Sequence, residues 1–306
     1  MRIIFAGTPA NAAHTLEALV AAGLNVVGVL TREDASVGRK KVLSPSPVAA
    51  VAGRYGIETK KANMIAEEVS SWIKGLEPDL GVIVAYGSIL KQPSLKAPIL
   101  GWINLHYSLL PKFPGAAPIQ HAILSGETTT GVTVFQLDEG IDTGPILSQA
   151  EIEIGETQTS GQLLETLTVL GGDLLVDTLK NLQTRIASKS TQVLPTGMPV
   201  AGKILRPNAR LGFLLPALEV HNFVRAMNPE PVAWFEYEGL QVRVLQTSLS
   251  DVTSLGAGEC SMVGKELTAG CAKGSVNLLL VQPAGKTQMS GADWFRGLRQ
   301  ESISIL

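Results

Sequence analysis

Asn104, His106 and Asp142 are the residues of this chain whose types and spacing could do chemistry. The amide can donate to a developing oxyanion. The imidazole can take a proton from an attacking amine. The carboxylate can hold that imidazole in one tautomer and steady its charged form. These are the parts needed to move an acyl group without a metal. Asn104 and His106 stand two apart, and residues i and i+2 of an extended strand share a face. Gly101-Trp102-Ile103-Asn104-Leu105-His106 reads as a short strand, and Ser108 to Gly115, broken by Pro111, Pro114 and Gly115, as the loop leaving its end. Ligands of open α/β sheets bind where such loops begin. A plainer reading also stands. A His near a strand end often only bonds backbone, and an Asn before a loop is often a turn former. In the acidic stretch Asp138–Gly144, either Asp138 or Asp142 could simply make an Asx turn. The chemical reading prefers Asp142, because Gly140 and Gly144 flank it and allow backbone close to a ligand.

Elements that would position these side chains alternate along the first half. Arg2–Ala6 is a β-branched apolar run, followed by Thr8 as a helix cap, Pro9 at the first helical position, and a helix over Ala10–Ala22 that stops at Gly23. Strands are expected at Val26–Leu30, Glu58–Lys60, Leu80–Ala85 and Gly131–Leu137. Helices are expected at Pro45–Arg54, Ile65–Gly75, Pro118–Ser125 and Ser160–Leu182, the last capped by Ser160. This alternation predicts a mainly parallel sheet covered by helices. The composition changes at about residue 184, where Ser, Thr, Pro and Gly accumulate. We therefore expect a domain over 1–183, a linker over 184–205, and a second domain over 206–306. The last would hold one helix, Glu219–Met227, and short strands at Val232–Tyr237, Gln241–Gln246, Gly258–Val263 and Ser275–Val281, a pattern that suits a small OB-like β-barrel.

Of the 306 residues, 45% are apolar and 17% charged, enough for a sizeable core and against disorder. The net charge of −2 argues against a polycationic nucleic-acid coat. Its distribution is uneven: residues 1–183 carry 13 Lys and Arg against 18 Asp and Glu, and residues 184–306 carry 12 against 9. The second part is mildly basic, a hint of a polyanionic partner. Cys260 and Cys271 match no zinc spacing and are expected as reduced thiols. No signal peptide or membrane span is read, so the chain is expected in the cytoplasm. Gly7-Thr8-Pro9 lacks the dinucleotide fingerprint G-x-G-x-x-G, and Asp138–Gly144 fails the EF-hand spacing. Arg39-Lys40-Lys41 is on pattern a solvated charge run, with phosphate contact as the alternative.

The opening Arg2–Pro9, Gly38–Lys41 with Ser44-Pro45-Ser46-Pro47-Val48, Val84–Gly87, Asn104–Pro111, Gly115–Gln120, Gly131–Gly144 and Leu280–Lys286 together resemble the methionyl-tRNA formyltransferase family along nearly the whole chain. The Asn-x-His plus Asp set is shared among folate formyltransferases. The Gly115–Gln120 stretch, the basic loop and the C-terminal match single out the tRNA family. The resemblance implies a Rossmann-like domain, a linker and an OB-like domain. It also implies transfer of the formyl group of 10-formyltetrahydrofolate to the α-amino group of methionine on initiator tRNA. It makes Asn104, His106 and Asp142 catalytic, Ser108, Leu109, Leu110 and Pro111 a folate-binding loop, Tyr86 and Gly87 a wall of the pterin pocket, and Arg39, Lys40 and Lys41 tRNA contacts. No metal is implied, and a monomer is expected. Two stretches depart from the pattern. Arg39 runs directly into Lys40-Lys41 without an intervening Gly, and residues 205–213 lack the usual acids. Three other readings stay open: a formyltransferase for a ribonucleotide or sugar amine, a hydrolase of the same folate, and a tRNA-binding module without chemistry.

Overall fold

Ile3, Ile4, Phe5 and Ala6 are all buried, as expected for a strand covered on both faces of a parallel sheet. They belong to β1 (Arg2–Gly7), an interior strand of a seven-stranded sheet. The computed structural model describes residues 1–38, 41–88, 90, 92–194 and 199–305. After β1 come α1 (Ala10–Ala21), β2 (Asn25–Thr31), a hairpin of β3 (Ala35–Val37) and β4 (Val42–Ser44), α2 (Pro47–Arg54), β5 (Thr59–Lys61), α3 (Glu67–Gly75), β6 (Leu80–Val84), α4 (Gln92–Leu95) and β7 (Trp102–His106). Then follow α5 (Pro118–Leu124), β8 (Thr129–Gln136), β9 (Ile146–Glu153), α6 (Ser160–Lys180) and α7 (Leu182–Ala187). The strand order is β5-β2-β1-β6-β7-β8-β9. The pairs from β5 to β7 are parallel, and β8 runs antiparallel to β7. The fold class expected from the sequence is the one observed.

Two capping expectations are corrected. Thr8 does not cap α1; its hydroxyl donates to the Tyr86 carbonyl at 2.9 Å, tying the turn after β1 to the turn after β6. Ser160 does not cap α6 either. Its hydroxyl donates to the Asn228 carbonyl, while Thr159 Oγ1 accepts from the Gln162 amide and Gln162 Oε1 accepts from the Thr159 amide, a reciprocal cap one residue earlier. The hairpin β3–β4 and strand β9 escaped the sequence reading. The stretch expected as linker starts in α7, and an antiparallel bridge pairs Ser190 with Ile146.

The chain divides into two compact units. One comprises Met1–Pro114, Gly131–Ile152 and Leu164–Val200; the other comprises Gly115–Thr130, Glu153–Leu163 and Ala201–Leu306. In the second, α8 (Ala217–Ala226) and α9 (Gly291–Leu298) cover an antiparallel half-barrel. Its strands are β10 (Ala233–Tyr237), β11 (Leu240–Ser250), β12 (Glu259–Val263), β13 (Glu266–Gly270), β14 (Ser275–Pro283), β15 (Met289–Ser290) and β16 (Ser302–Ser304), in the order β10-β11-β14-β13-β12-β16 with β15 beside β14. Phe213, Phe235, Tyr237 and Trp294 make its aromatic centre, with ring centroids 5.7–6.0 Å apart. Cys260 and Cys271 are free, buried thiols in this core, and burial pushes both away from ionisation, Cys271 to about 11.

Candidate active site

β7 carries the candidate chemistry because it lies inside the sheet. Asn104 pairs with Ile83 of β6 on one side and Phe135 of β8 on the other. His106, at the strand's end, is buried, with Phe135 edge-on at 6.4 Å. Its Nε2 lies 3.0 Å from the Phe113 carbonyl oxygen. A carbonyl oxygen only accepts, so Nε2 carries the hydrogen. In the neutral ring this leaves Nδ1 as the bare lone pair. Nδ1 is 3.7 Å from Asp142 Oδ2, beyond hydrogen-bond distance but close enough for strong Coulombic coupling across a largely buried gap. Burial is the largest influence on the imidazole and lowers its pKa; the Asp142 charge and the Phe113 carbonyl pull the other way. The ring is thus a neutral base at neutral pH, with an anion beside it to receive the cation it becomes.

The loop that supplies Phe113 is tied down by polar bonds. Ser108 Oγ donates to the Lys112 carbonyl at 2.7 Å, Thr133 Oγ1 donates to the Ser108 carbonyl at 2.7 Å, and the Leu110 amide donates to Thr133 Oγ1 at 3.1 Å. Gln149 Nε2 reaches both the Leu110 carbonyl and Thr133 Oγ1 at 2.9 Å. Ser108 and Leu110 therefore turn inward, while Leu109 and Pro111 remain partly exposed.

Asp142 sits in a built corner. Asp138 Oδ1 accepts from the Gly140 amide at 3.0 Å and from Thr143 Oγ1 at 2.8 Å, so Asp138 makes the Asx turn. Asp142 itself is left-handed, at φ 55°. A Cβ on Gly144 would lie 1.8 Å from the Gln136 carbonyl, so only glycine closes the loop there. The carbonyls of Asp142 and Gly144 both accept from Gln192 Nε2, at 2.9 and 2.7 Å.

The remaining sequence candidates are placed as follows. The Tyr86 ring is 1% exposed in the apolar cluster with Ile4, Leu30 and Trp102, and its hydroxyl donates to the Ala62 carbonyl. Burial pushes its pKa up to about 12. The Tyr86 side chain therefore serves the core, and its carbonyl is taken by Thr8. Gly87, at φ 82°, is exposed, and its carbonyl accepts from Arg32 Nη1 at 2.9 Å. Arg39 and Lys40 lie outside the described residues. Lys41 is exposed, at φ 48°, in the turn between β3 and β4. The structure thus brings His106 and Asp142 together, with Asn104 two residues from His106 on the same strand. Asn104 is half-buried, and its amide makes no hydrogen bond to the described residues. The exposed turn at Gly87 follows β6, the strand beside β7. Among the described residues no group of three or more His, Cys, Asp or Glu side chains is placed to hold a metal ion, and no helix is long and apolar enough to cross a membrane.

Sequence reasoning missed Phe113, Thr133, Gln149 and Gln192. Phe113 acts through a carbonyl that every residue has. The other three come from β8, β9 and the segment after α7, with no motif to join them to β7.

Comparison with known proteins identifies the family. The chain matches the family model for formyl transferase over residues 1–179 and that for the formyl transferase C-terminal domain over 203–299. It is 44% identical over 299 residues to the methionyl-tRNA formyltransferase of Renibacterium salmoninarum, covering 97% of each chain. It is 41% identical over 305 residues to that of Clavibacter sepedonicus, covering 99% of each. Among solved structures, the N-formyltransferase of Helicobacter canadensis, in complex with folinic acid and dTDP-3-aminofucose, superposes with a TM-score of 0.66 at 20% identity, over 90% of this chain and 98% of that one. At that identity the likeness concerns the fold alone.

Proposed function

This chain belongs to the methionyl-tRNA formyltransferase family, and from that premise we propose that it formylates the α-amino group of methionine on initiator tRNA, with 10-formyltetrahydrofolate as the donor. One observation of the site carries the chemistry: a buried imidazole whose Nε2–H is spent on the Phe113 carbonyl and whose bare Nδ1 faces a carboxylate 3.7 Å away. The folate, when bound, supplies the formyl group. The turn of Tyr86 and Gly87 and the loop of Ser108, Leu109, Leu110 and Pro111 are the segments we assign to hold it, with Gly87, Leu109 and Pro111 presenting their exposed or partly exposed faces and Tyr86, Ser108 and Leu110 fixing the segments from within.

Asn104 directs its amide N–H at the formyl oxygen, where negative charge develops as the amine attacks. A preset donor needs no reorganisation at that moment. His106 takes the amine proton at Nδ1. The imidazolium so formed keeps its Nε2–H on Phe113, gains Asp142 as counter-ion, and returns the proton from Nδ1 to the folate nitrogen as the bond between that nitrogen and the formyl carbon breaks. Asp142 thus acts through its charge rather than by a direct hydrogen bond to the ring. Arg39, Lys40 and Lys41 are assigned to tRNA phosphates, as is the mildly basic stretch 184–306. All three reacting side chains lie in one unit of one chain, so we assign the activity to a monomer, in the cytoplasm where initiator tRNA is charged.

The test is formylation of charged initiator methionyl-tRNA, with elongator methionyl-tRNA as control. Formylmethionine on the initiator alone is expected. Folate turnover that leaves both tRNAs unformylated would replace the tRNA acceptor with water or a smaller amine.

A further inference from the structure

We propose that Gln192 is a positioning residue for this reaction, holding Asp142 in register with His106; the inference rests on the roles proposed above. Gln192 is 8% exposed. Its amide nitrogen donates to two carbonyls, those of Asp142 and Gly144, at 2.9 and 2.7 Å. These lie on either side of Thr143, directly after the left-handed corner at Asp142. An amide group that bridges residues i and i+2 fixes the peptide planes from which the Asp142 side chain projects.

Two further observations show that this grip is specified. The segment carrying Gln192 is anchored, two residues earlier, to the first residue of β9, which follows that loop. The Ile146 amide donates to the Ser190 carbonyl at 2.8 Å, and the Ser190 amide donates back at 3.0 Å. The Gln192 side chain therefore starts from a fixed backbone. In addition, Gln192 Oε1 is buried and has no hydrogen-bond partner among the described residues. Such an orphaned acceptor is unfavourable. Turning the amide over would be worse, because it would set Oε1 against two carbonyl oxygens. The two donor bonds therefore dictate the orientation, and the orphaned oxygen is their consequence. No charged or metal-ligating group is involved, so composition and motif searches pass over Gln192. Its place in a Ser/Thr/Pro-rich stretch disguises it further.

Asp142 supports the imidazolium through charge, across 3.7 Å, and not through a hydrogen bond to the ring. The backbone that Gln192 fixes is the one from which Asp142 projects, and misplacements of about 1 Å at a reacting centre can cost about 10²-fold in rate. Gln192→Met keeps the volume and removes both donor bonds. We expect kcat to fall about 10- to 100-fold, with KM for donor and tRNA within about twofold, since neither substrate touches Gln192 in this scheme. The acid limb of the kcat–pH profile should move to lower pH, because an imidazole that loses its carboxylate is easier to deprotonate. Gln192→Glu keeps the shape, cannot donate when ionised, and serves if the Met variant does not fold.

The deciding experiment compares wild type, Asp142→Asn, Gln192→Met and the double variant. If Gln192 works through Asp142, the double variant is no slower than Asp142→Asn alone. A further full loss when Gln192→Met is added to Asp142→Asn, or an unmoved pH profile with kcat falling only as far as Tm does, would overturn the inference. An inactive wild type would instead strike the proposed function and take this inference with it. A fully active Gln192→Met beside a crippled Asp142→Asn would strike this inference alone.

Discussion

His106→Ala is expected to lower kcat about 10²- to 10⁴-fold, the usual worth of a positioned general base. KM for donor and tRNA should move little, because a proton is taken from the amine only as it attacks. The pH dependence separates this loss from damage to the fold. In the wild type the acid limb of kcat reports protonation of His106. Burial lowers its pKa from the ordinary 6.5, so the rate should hold as pH falls through that value and decline only below it. In the Ala variant that limb should vanish. Steady-state rates from about pH 5 to 8, the range in which histidines ordinarily titrate, with circular dichroism to confirm folding, measure both effects. A variant that keeps the acid limb would assign the base elsewhere.

Asn104→Ala is expected to lower kcat about 10²- to 10³-fold, the loss found when one oxyanion donor is removed. The side chain stands half-buried on an interior strand, its backbone fixed by β6 and β8, and no protein acceptor among the described residues takes its amide hydrogens. Truncation therefore leaves no orphaned partner, and stability should change little. Asn104→Asp distinguishes polarity from volume. It keeps the shape but presents an acceptor to an oxygen gaining negative charge, and it should be at least as slow as the Ala variant. Single-turnover rates test this, and an active Asp variant would remove Asn104 from the oxyanion role.

What could be read in the sequence and what could not divide along a physical line. β7 was legible because Asn104 and His106 obey the two-residue period of a strand and because Pro111 and Pro114 mark the loop that follows. The parallel sheet was legible because strands buried on both faces, such as Ile3 to Ala6, leave unbroken apolar runs. The tautomer of His106 was not legible. It follows from one backbone oxygen, on Phe113, whose position depends on Ser108, Thr133 and Gln149 drawn from three places in the chain. The same holds for the helix caps: Thr8 and Ser160 have the right type at the right place, yet each hydroxyl finds a carbonyl on a distant segment. Tyr86 shows the opposite case. Its place in the motif after β6 is as expected, but the ring serves the core, and only the turn it opens faces outward.

That the bare Nδ1 of His106 is the base can be measured without turnover. ¹⁵N NMR of the histidine rings, with His106→Ala to assign the resonance, reports which nitrogen carries the hydrogen. A neutral ring protonated on Nε2 at about neutral pH is expected, because Phe113 offers that nitrogen only an acceptor 3.0 Å away. A ring protonated on Nδ1 would direct its hydrogen towards Asp142, leave Nδ1 without a lone pair for the amine, and contradict the mechanism.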